Sequence, residues 1–171
     1  MSSPLATSAI NTNRTKVVGI GLALKPAIDR ETLGLSPEAA EEWQRHTKAE
    51  FSLWAKRKDA CDAIGVNGFY ALQQLALVSW LMSGDVFAVI KRRPPDRIRP
   101  YSLRIHLVEA DRVRTPMEYG GTTFPSTTNG KNPDTGNRIF DGVEVDASGM
   151  VVAYHVHSTY PWEITSAEDE C

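Results

Sequence analysis

The spacing of apolar and polar positions changes character along the chain. From Ser36 to Lys58 it predicts a helix, with Trp43, Thr47, Phe51 and Trp54 recurring on one face. Ser36 can cap that helix by accepting an orphan amide hydrogen bond, and Pro37 suits the first helical position, where no backbone donor is needed. Glu38, Glu41 and Glu42 stand near the positive end of the dipole, and Lys56, Arg57 and Lys58 near the negative end. A turn at Gly65-Val66-Asn67-Gly68 leads to a second predicted helix, Phe69 to Ser83. Phe69, Leu72, Leu75, Ala76, Ser79, Trp80 and Met82 give that helix a broad apolar surface, which predicts a central place in the core. Trp43, Trp54, Leu75 and Trp80 are therefore expected to be shielded from water, with Trp80→Ala costing roughly 3–5 kcal/mol.

After Gly84, which can supply the left-handed residue that ends the helix, the period falls to two. Asp85 to Arg92 reads as a strand rich in Val, Phe and Ile, and Pro94-Pro95-Asp96 forces a turn. Leu103, Ile105 and Leu107 then alternate with Arg104, His106 and Val108 in a return strand, so the two form an antiparallel pair. Thr115 to Asn137 is polar and rich in Gly, Pro, Thr and Asn, the composition of a flexible or functional loop. Arg138 to Val145 and Val151 to His157 make a last hairpin around Asp146-Ala147-Ser148-Gly149, where Gly149 fits a positive-φ position. The pattern predicts an α+β fold, two amphipathic helices packed on antiparallel strands and hairpins. Its expected organisation is a frayed segment over 1–16, one domain over 17–161 containing the flexible loop 115–137, and a disordered acidic tail over 162–171.

Composition narrows the function classes. The chain has 171 residues, 42% of them hydrophobic, enough for a real core. Net charge is −2, so the chain as a whole has no bias toward polyanions. Charge is uneven, however. Eight basic residues fall between Lys91 and Arg114, opposed only by Asp96, Glu109 and Asp111. No apolar run is long enough to span a bilayer, and residues 1–16 lack the apolar centre of a signal peptide. Two cysteines, Cys61 and Cys171, make no disulfide framework, which fits a reducing cytoplasm as the place of synthesis.

Few residues are arranged for chemistry. Gly19-x-Gly21 begins a dinucleotide-loop pattern, but Leu24 stands where the third glycine belongs and Pro26 follows. His155-x-His157 puts two imidazoles on one strand face, and a small metal-dependent enzyme using them with His106 is one reading; two ligands leave a zinc site incomplete. Glu109 and Asp111 end a strand as a carboxylate pair, yet Arg112 and Arg114 beside them favour plain ion pairing or capping of the turn. Lys91, Arg92, Arg93, Arg97 and Arg99 cluster at a strand end and proline turn, which makes them the candidate nucleic-acid contacts of an independent binding module. With one aromatic nearby, Tyr101, they do not form a stacking platform for single strands. No residue is assigned as catalytic, cofactor-binding or metal-ligating.

Five blocks, in order, resemble the portal proteins of lambda-type tailed bacteriophages. NTNRTKVVGIGLALKP is similar to the family's helix end and VVGxGL-type strand, and IDRETLGLSPEAAEEWQRHTKAEFSLWA to its next loop and helix. FYALQQLALVSWLMSGDVFAVIKRRP resembles its helix–Gly–strand unit, while IHLVEADRV and GVEVDASGMVVAYHV resemble the two blocks after it. The resemblance implies a structural protein without an active site or cofactor: a subunit of a dodecameric ring at the capsid vertex, acting as head–tail connector and DNA packaging channel. The implied partners are further copies of the chain, the terminase, capsid and head-completion proteins, and double-stranded DNA passing through the channel, with no membrane. The implied location is the virion, after synthesis in the bacterial cytoplasm. The resemblance also implies that the region belongs to the wing-like body rather than the pore-lining stem. Because family subunits are several times longer, a truncated or fragmentary subunit is expected.

Overall fold

A computed structural model describes residues 3–121 and 129–160. Contacts divide the chain into two compact units, Met1–Leu107 and Val108–Cys171, where the sequence pattern predicts one domain over 17–161. The residues 122–128 of the expected loop and the expected acidic tail, 162–171, lie outside the described residues.

In the first unit, four helices are described: α1 (Pro4–Val17), α2 (Pro37–Lys56), α3 (Lys58–Cys61) and α4 (Phe69–Ser83). The segment expected to be frayed is thus largely helical. Ser3 caps α1 through its hydroxyl, Pro4 follows, and Thr7 and Asn13 bond carbonyls one turn back. No residue of α1 is buried. After it, Gly19 (φ 56°) and Gly21 (φ 110°) turn the chain, and a Cβ on Gly21 would collide with the Tyr70 ring. Two glutamines of α4 hold this turn: Gln73 accepts from the Leu22 amide (2.7 Å) and donates to its carbonyl (3.4 Å), and Gln74 donates to Gly19 O.

The core of this unit gathers where α2, α3 and α4 meet. Trp54, Ala55, Ala60, Cys61 and Leu72 are buried, with Phe51, Phe69, Tyr101, Ile105 and Leu107 packed around them. Trp54 lies between Phe51 and Phe69, with ring centroids 5.6 and 5.1 Å away, and its indole N–H donates to Leu103 O at 3.0 Å. Asp62, 3% exposed, accepts from the amides of Ile64, Val66 and Asn67, which shapes the expected turn before α4. A two-stranded sheet of β1 (Val86–Arg92) and β2 (Leu103–Glu109) completes the unit, the division between units falling inside β2. On β2, Ile105 and Leu107 face the core as expected, but Arg104 is also buried at 4% exposure and donates to the Asp59 carbonyl.

The second unit is built on a four-stranded antiparallel sheet in the order β3 (Asn129–Lys131), β4 (Arg138–Phe140), β5 (Val143–Val145), β6 (Val151–Tyr154). The long strand expected over 138–145 is therefore two short ones, reversed at Asp141 (φ 46°) and Gly142 (φ 81°). That pair of positive φ values is what a two-residue hairpin needs, and Asp-Gly supplies it. Gly142 also sits against the Arg114 backbone, where a Cβ would come within 2.5–2.9 Å. The β5–β6 turn matches expectation: Asp146 Oδ1 accepts from the amides of Ser148 and Met150, and Gly149 has φ 86°. Part of the expected flexible loop is ordered, as a 3-10 turn at Met117–Tyr119 and as β3.

One expectation about the core is overturned. Trp54 is buried as predicted, but Trp43, Leu75 and Trp80 are 45%, 46% and 56% exposed. Of α4, only Leu72 is buried. The helix is apolar all round, so its sequence cannot say which face the core takes, and the bulky Trp54–Phe69 cluster fills the interior with the first turns of α4. Phe69, Ala76, Leu77 and Val78 are half-buried, and Leu75, Trp80, Leu81 and Met82 are left exposed.

Candidate functional site

The tip of the β1–β2 hairpin is a hydrogen-bonded, cationic turn. The Arg93 amide donates to Ser102 O at 2.9 Å, carrying the ladder past the end of β1. Asp96 then organises the apex: its Oδ1 accepts from the amides of Ile98 (2.9 Å) and Arg99 (2.7 Å), and its Oδ2 from Arg99 Nε (2.9 Å). The Arg99 amide, helped by its guanidinium, holds the Asp96 carboxyl below its ordinary range. Pro94, Pro95 and Pro100 restrict the surrounding backbone. Of the five candidate cations, Arg99 is engaged by Asp96. Lys91, Arg92, Arg93 and Arg97 are exposed and join no salt bridge among the described residues. Between the arginines, Ile98 stands 72% exposed.

The histidine pair of the second unit meets a carboxylate that the sequence pattern did not single out. Glu144, central in β5 and 3% exposed, is bonded by four side chains. Asn132 Nδ2 (3.0 Å) and His155 Nε2 (2.9 Å) reach its Oε2, while Thr135 Oγ1 (2.8 Å) and Asn137 Nδ2 (2.9 Å) reach its Oε1. The Asn132, Asn137 and Thr135 bonds, with a smaller share from His155, lower its pKa to about 2. His157 Nε2 meets the Arg114 carbonyl at 3.1 Å, and burial, reinforced by the Arg114 charge, pushes its pKa below the ordinary value. Both oxygens of Glu144 are thus taken by protein donors, and no three His, Cys, Asp or Glu side chains among the described residues are gathered as metal ligands. His106 belongs to the first unit. The cluster ties the 132–137 turn to β5 and β6. A signal for it was present. In Val143-Glu144-Val145 the strand period aims the glutamate opposite to its valine neighbours, beside a turn rich in Asn and Thr.

The expected ion pairing of Glu109 and Asp111 with their arginine neighbours is not what forms. Glu109 accepts from the Tyr160 hydroxyl (3.2 Å), Arg112 Nε donates to the His157 carbonyl (2.8 Å), and Arg114 reaches Thr159. The Val113–Val156 bridge draws the arginines toward the segment that follows β6, where those acceptors lie.

The remaining surface feature is the uncovered side of α4. Leu75, Trp80, Leu81 and Met82 are between 42% and 56% exposed. Clustered apolar exposure of this kind marks interaction sites more often than free surface.

Comparison with known proteins decides the family. The family model described as "Phage portal protein, lambda family" matches residues 1–170. The chain belongs to the lambda-type phage portal family. A probable portal protein of Halomonas phage phiHAP-1 is 27% identical over 123 residues, which cover 72% of this chain and 21% of that protein. The chain thus spans about a fifth of the length of this curated relative. The portal family is a structural rather than an enzymatic one. No helix among the described residues is long and apolar enough to cross a membrane. The five portal-like blocks fall on the α1 end and its glycine turn, on the loop leading into α2 and α2 itself, on α4 with β1, on β2 with the turn after it, and on the β5–β6 hairpin.

Proposed function

We propose that this chain forms part of the body wall of a portal subunit, and that its task is to make protein–protein contacts within the ring at the capsid vertex. In that ring the whole subunit joins further copies of itself, the packaging terminase, the capsid and head-completion proteins, around a channel for double-stranded DNA. The observation that carries the wall role is the group of exposed apolar side chains, Leu75, Trp80, Leu81 and Met82, on the later turns of α4 in a chain of this family. An exposed helix end rich in Trp, Leu and Met has the composition of an interface centre. A ring needs heterologous contacts, in which this helix end meets a different surface of the neighbour.

Light scattering on a size-exclusion column tests the reading, run on the wild-type chain and on Trp80→Glu. Assembly above the monomer mass that is lost in Trp80→Glu, with unchanged circular dichroism, is the expected result. A wild-type chain that stays monomeric at every concentration, or a Trp80→Glu chain that assembles equally well, overturns it. The cationic hairpin favours a second, compatible role for Lys91, Arg92, Arg93, Arg97 and Arg99 as nucleic-acid contacts, because four of the five cations join no salt bridge among the described residues.

A further inference from the structure

We infer that the β1–β2 hairpin tip grips duplex DNA through the minor groove, with Ile98 as an apolar wedge against a base step and the flanking cations on the phosphates. The inference rests on the reading of Lys91 to Arg99 as a nucleic-acid surface and gives that surface a substrate and a mode. Three features of the tip carry it. The first is the apex itself. Ile98 is 72% exposed at the end of a turn whose backbone is tied by Asp96 and flanked by prolines, so the side chain is held out rather than left loose. A pre-ordered apex loses little conformational freedom on binding. Apolar side chains such as isoleucine are what groove-inserting proteins place between base steps, where they part the stack and bend the duplex.

The second feature is the placing of charge. Successive side chains of a strand point to opposite faces, so Lys91 and Arg92 lie on opposite faces of the ribbon, and Arg93 follows where its amide bond to Ser102 carries the pairing one residue on. Arg97 precedes the wedge directly. Cations on both faces of a narrow ribbon can meet both phosphate walls of a groove, which a one-sided patch cannot.

The third feature is what the tip lacks. Residues 93–100 include no Asn or Gln, the side chains that read adenine edges in the major groove, while their arginines suit the negative potential of a narrow minor groove. The nearby aromatic, Tyr101, has its hydroxyl bound to Glu50 at 2.7 Å and packs against the core, which removes it as a stacking platform for single strands.

The test uses the full chain and a duplex of about 30 base pairs carrying a dye at each end, a length over which a protein-induced bend is readable. Anisotropy gives affinity as salt is varied, and energy transfer between the dyes gives the bend. Four phosphate contacts predict a log–log salt slope of about −3 to −4. Arg97→Ala or Arg93→Ala should each reduce that slope by about one. Ile98→Ser leaves every charge in place, so the slope should persist while the bend disappears and affinity falls on the order of tenfold. An unchanged bend in Ile98→Ser overturns the wedge. No binding by the wild-type chain even at about 50 mM salt overturns the nucleic-acid surface itself. Displacement of the duplex by an equal charge concentration of polyglutamate overturns DNA as the partner and leaves an acidic protein surface in its place. Assembly measured on the same Ile98→Ser sample is expected to match wild type, so failure here is distinct from failure of the portal-wall role.

Discussion

Trp54 and Trp80 make a paired test of where the core lies. Trp54 keeps 7% of its surface exposed, between Phe51 and Phe69, and Trp80 keeps 56%. A buried tryptophan removes about 200 Å² from water, worth about 5 kcal/mol at about 25 cal/mol per Å², an upper value because the unfolded chain already hides part of it. Trp54→Ala also removes the indole donor from the Leu103 carbonyl, a cost of about 1 kcal/mol. Partial collapse of the site offsets some of the sum, and about 4 kcal/mol is expected, within the range for such truncations. Trp80 already spends half its surface in water, and the same change there should cost about 1–2 kcal/mol, below the value that the helix pattern alone suggests. Trp54→Phe keeps a ring but loses the donor, and should fall between the two. Urea unfolding followed by circular dichroism reads all three. In a thermal melt Trp54→Ala should lower the transition of the Met1–Leu107 unit by about 15 °C or more. If Trp80→Ala costs as much as Trp54→Ala in the monomeric chain, the assignment of the core to the Trp54 cluster is wrong.

Further tests follow from the polar clusters and the turns. Glu144 has its pKa held at about 2 in the fold against an ordinary 4.5, so its stabilising contribution is full above about pH 4.5 and is lost as pH falls toward 2. His157, with a lowered pKa, works in the same direction, since below its ordinary 6.5 protonation favours the unfolded chain. Melting temperature should therefore fall on acidification, and Glu144→Gln should flatten the part of the curve between 4.5 and 2; an identical slope in the variant refutes the role given to the carboxylate. Gly142→Ala must place a Cβ against the Arg114 backbone at φ 81°, and should destabilise the second unit by at least about 2 kcal/mol. Gly34→Ala, also at positive φ but in open space, should cost only about 1 kcal/mol, and equal losses in chemical denaturation would remove the steric argument. Asp62→Asn leaves one oxygen for three amides, so a loss of about 1–3 kcal/mol and faster hydrogen exchange at Val66 or Asn67 are expected; unchanged exchange at both counts against it.

The elements most legible in the sequence are those whose signals are local. The Ser36-Pro37 start of α2, the Gly84 stop of α4 and the Asp146–Gly149 turn stand where their chemistry puts them, because each depends on residues a few positions apart. Asp141-Gly142 is an equally local turn signal, but it is masked by the alternation of Arg138 to Val145, which reads as a single strand. The basic hairpin was legible as a charge cluster, but not that Asp96 would claim Arg99 and hold Ile98 outward. Neither the cluster on Glu144 nor the turn away of Arg112 and Arg114 from Glu109 and Asp111 was read from the pattern. Each depends on partners between 7 and 51 positions distant, and spacing does not report pairings of that length.

By itself the sequence determined the α+β class, most helix and strand positions, the charge asymmetry and the family, all of which rest on residue type, short-range period and block order. Tertiary structure alone decided which apolar residues are core and which are surface. α4 is apolar all round, so its period carries no direction, and only the packing of Trp54 against Phe69 selects Leu72 for the interior and leaves Leu75 and Trp80 outside. Tertiary structure also decided which charges are spent: Glu144 and Asp62 are consumed by neighbouring donors, whereas Lys91, Arg92, Arg93 and Arg97 join no salt bridge among the described residues. The physical reason is the same in both cases. Burial and charge pairing are relations between distant residues, and a chain states its residues before it states its neighbours.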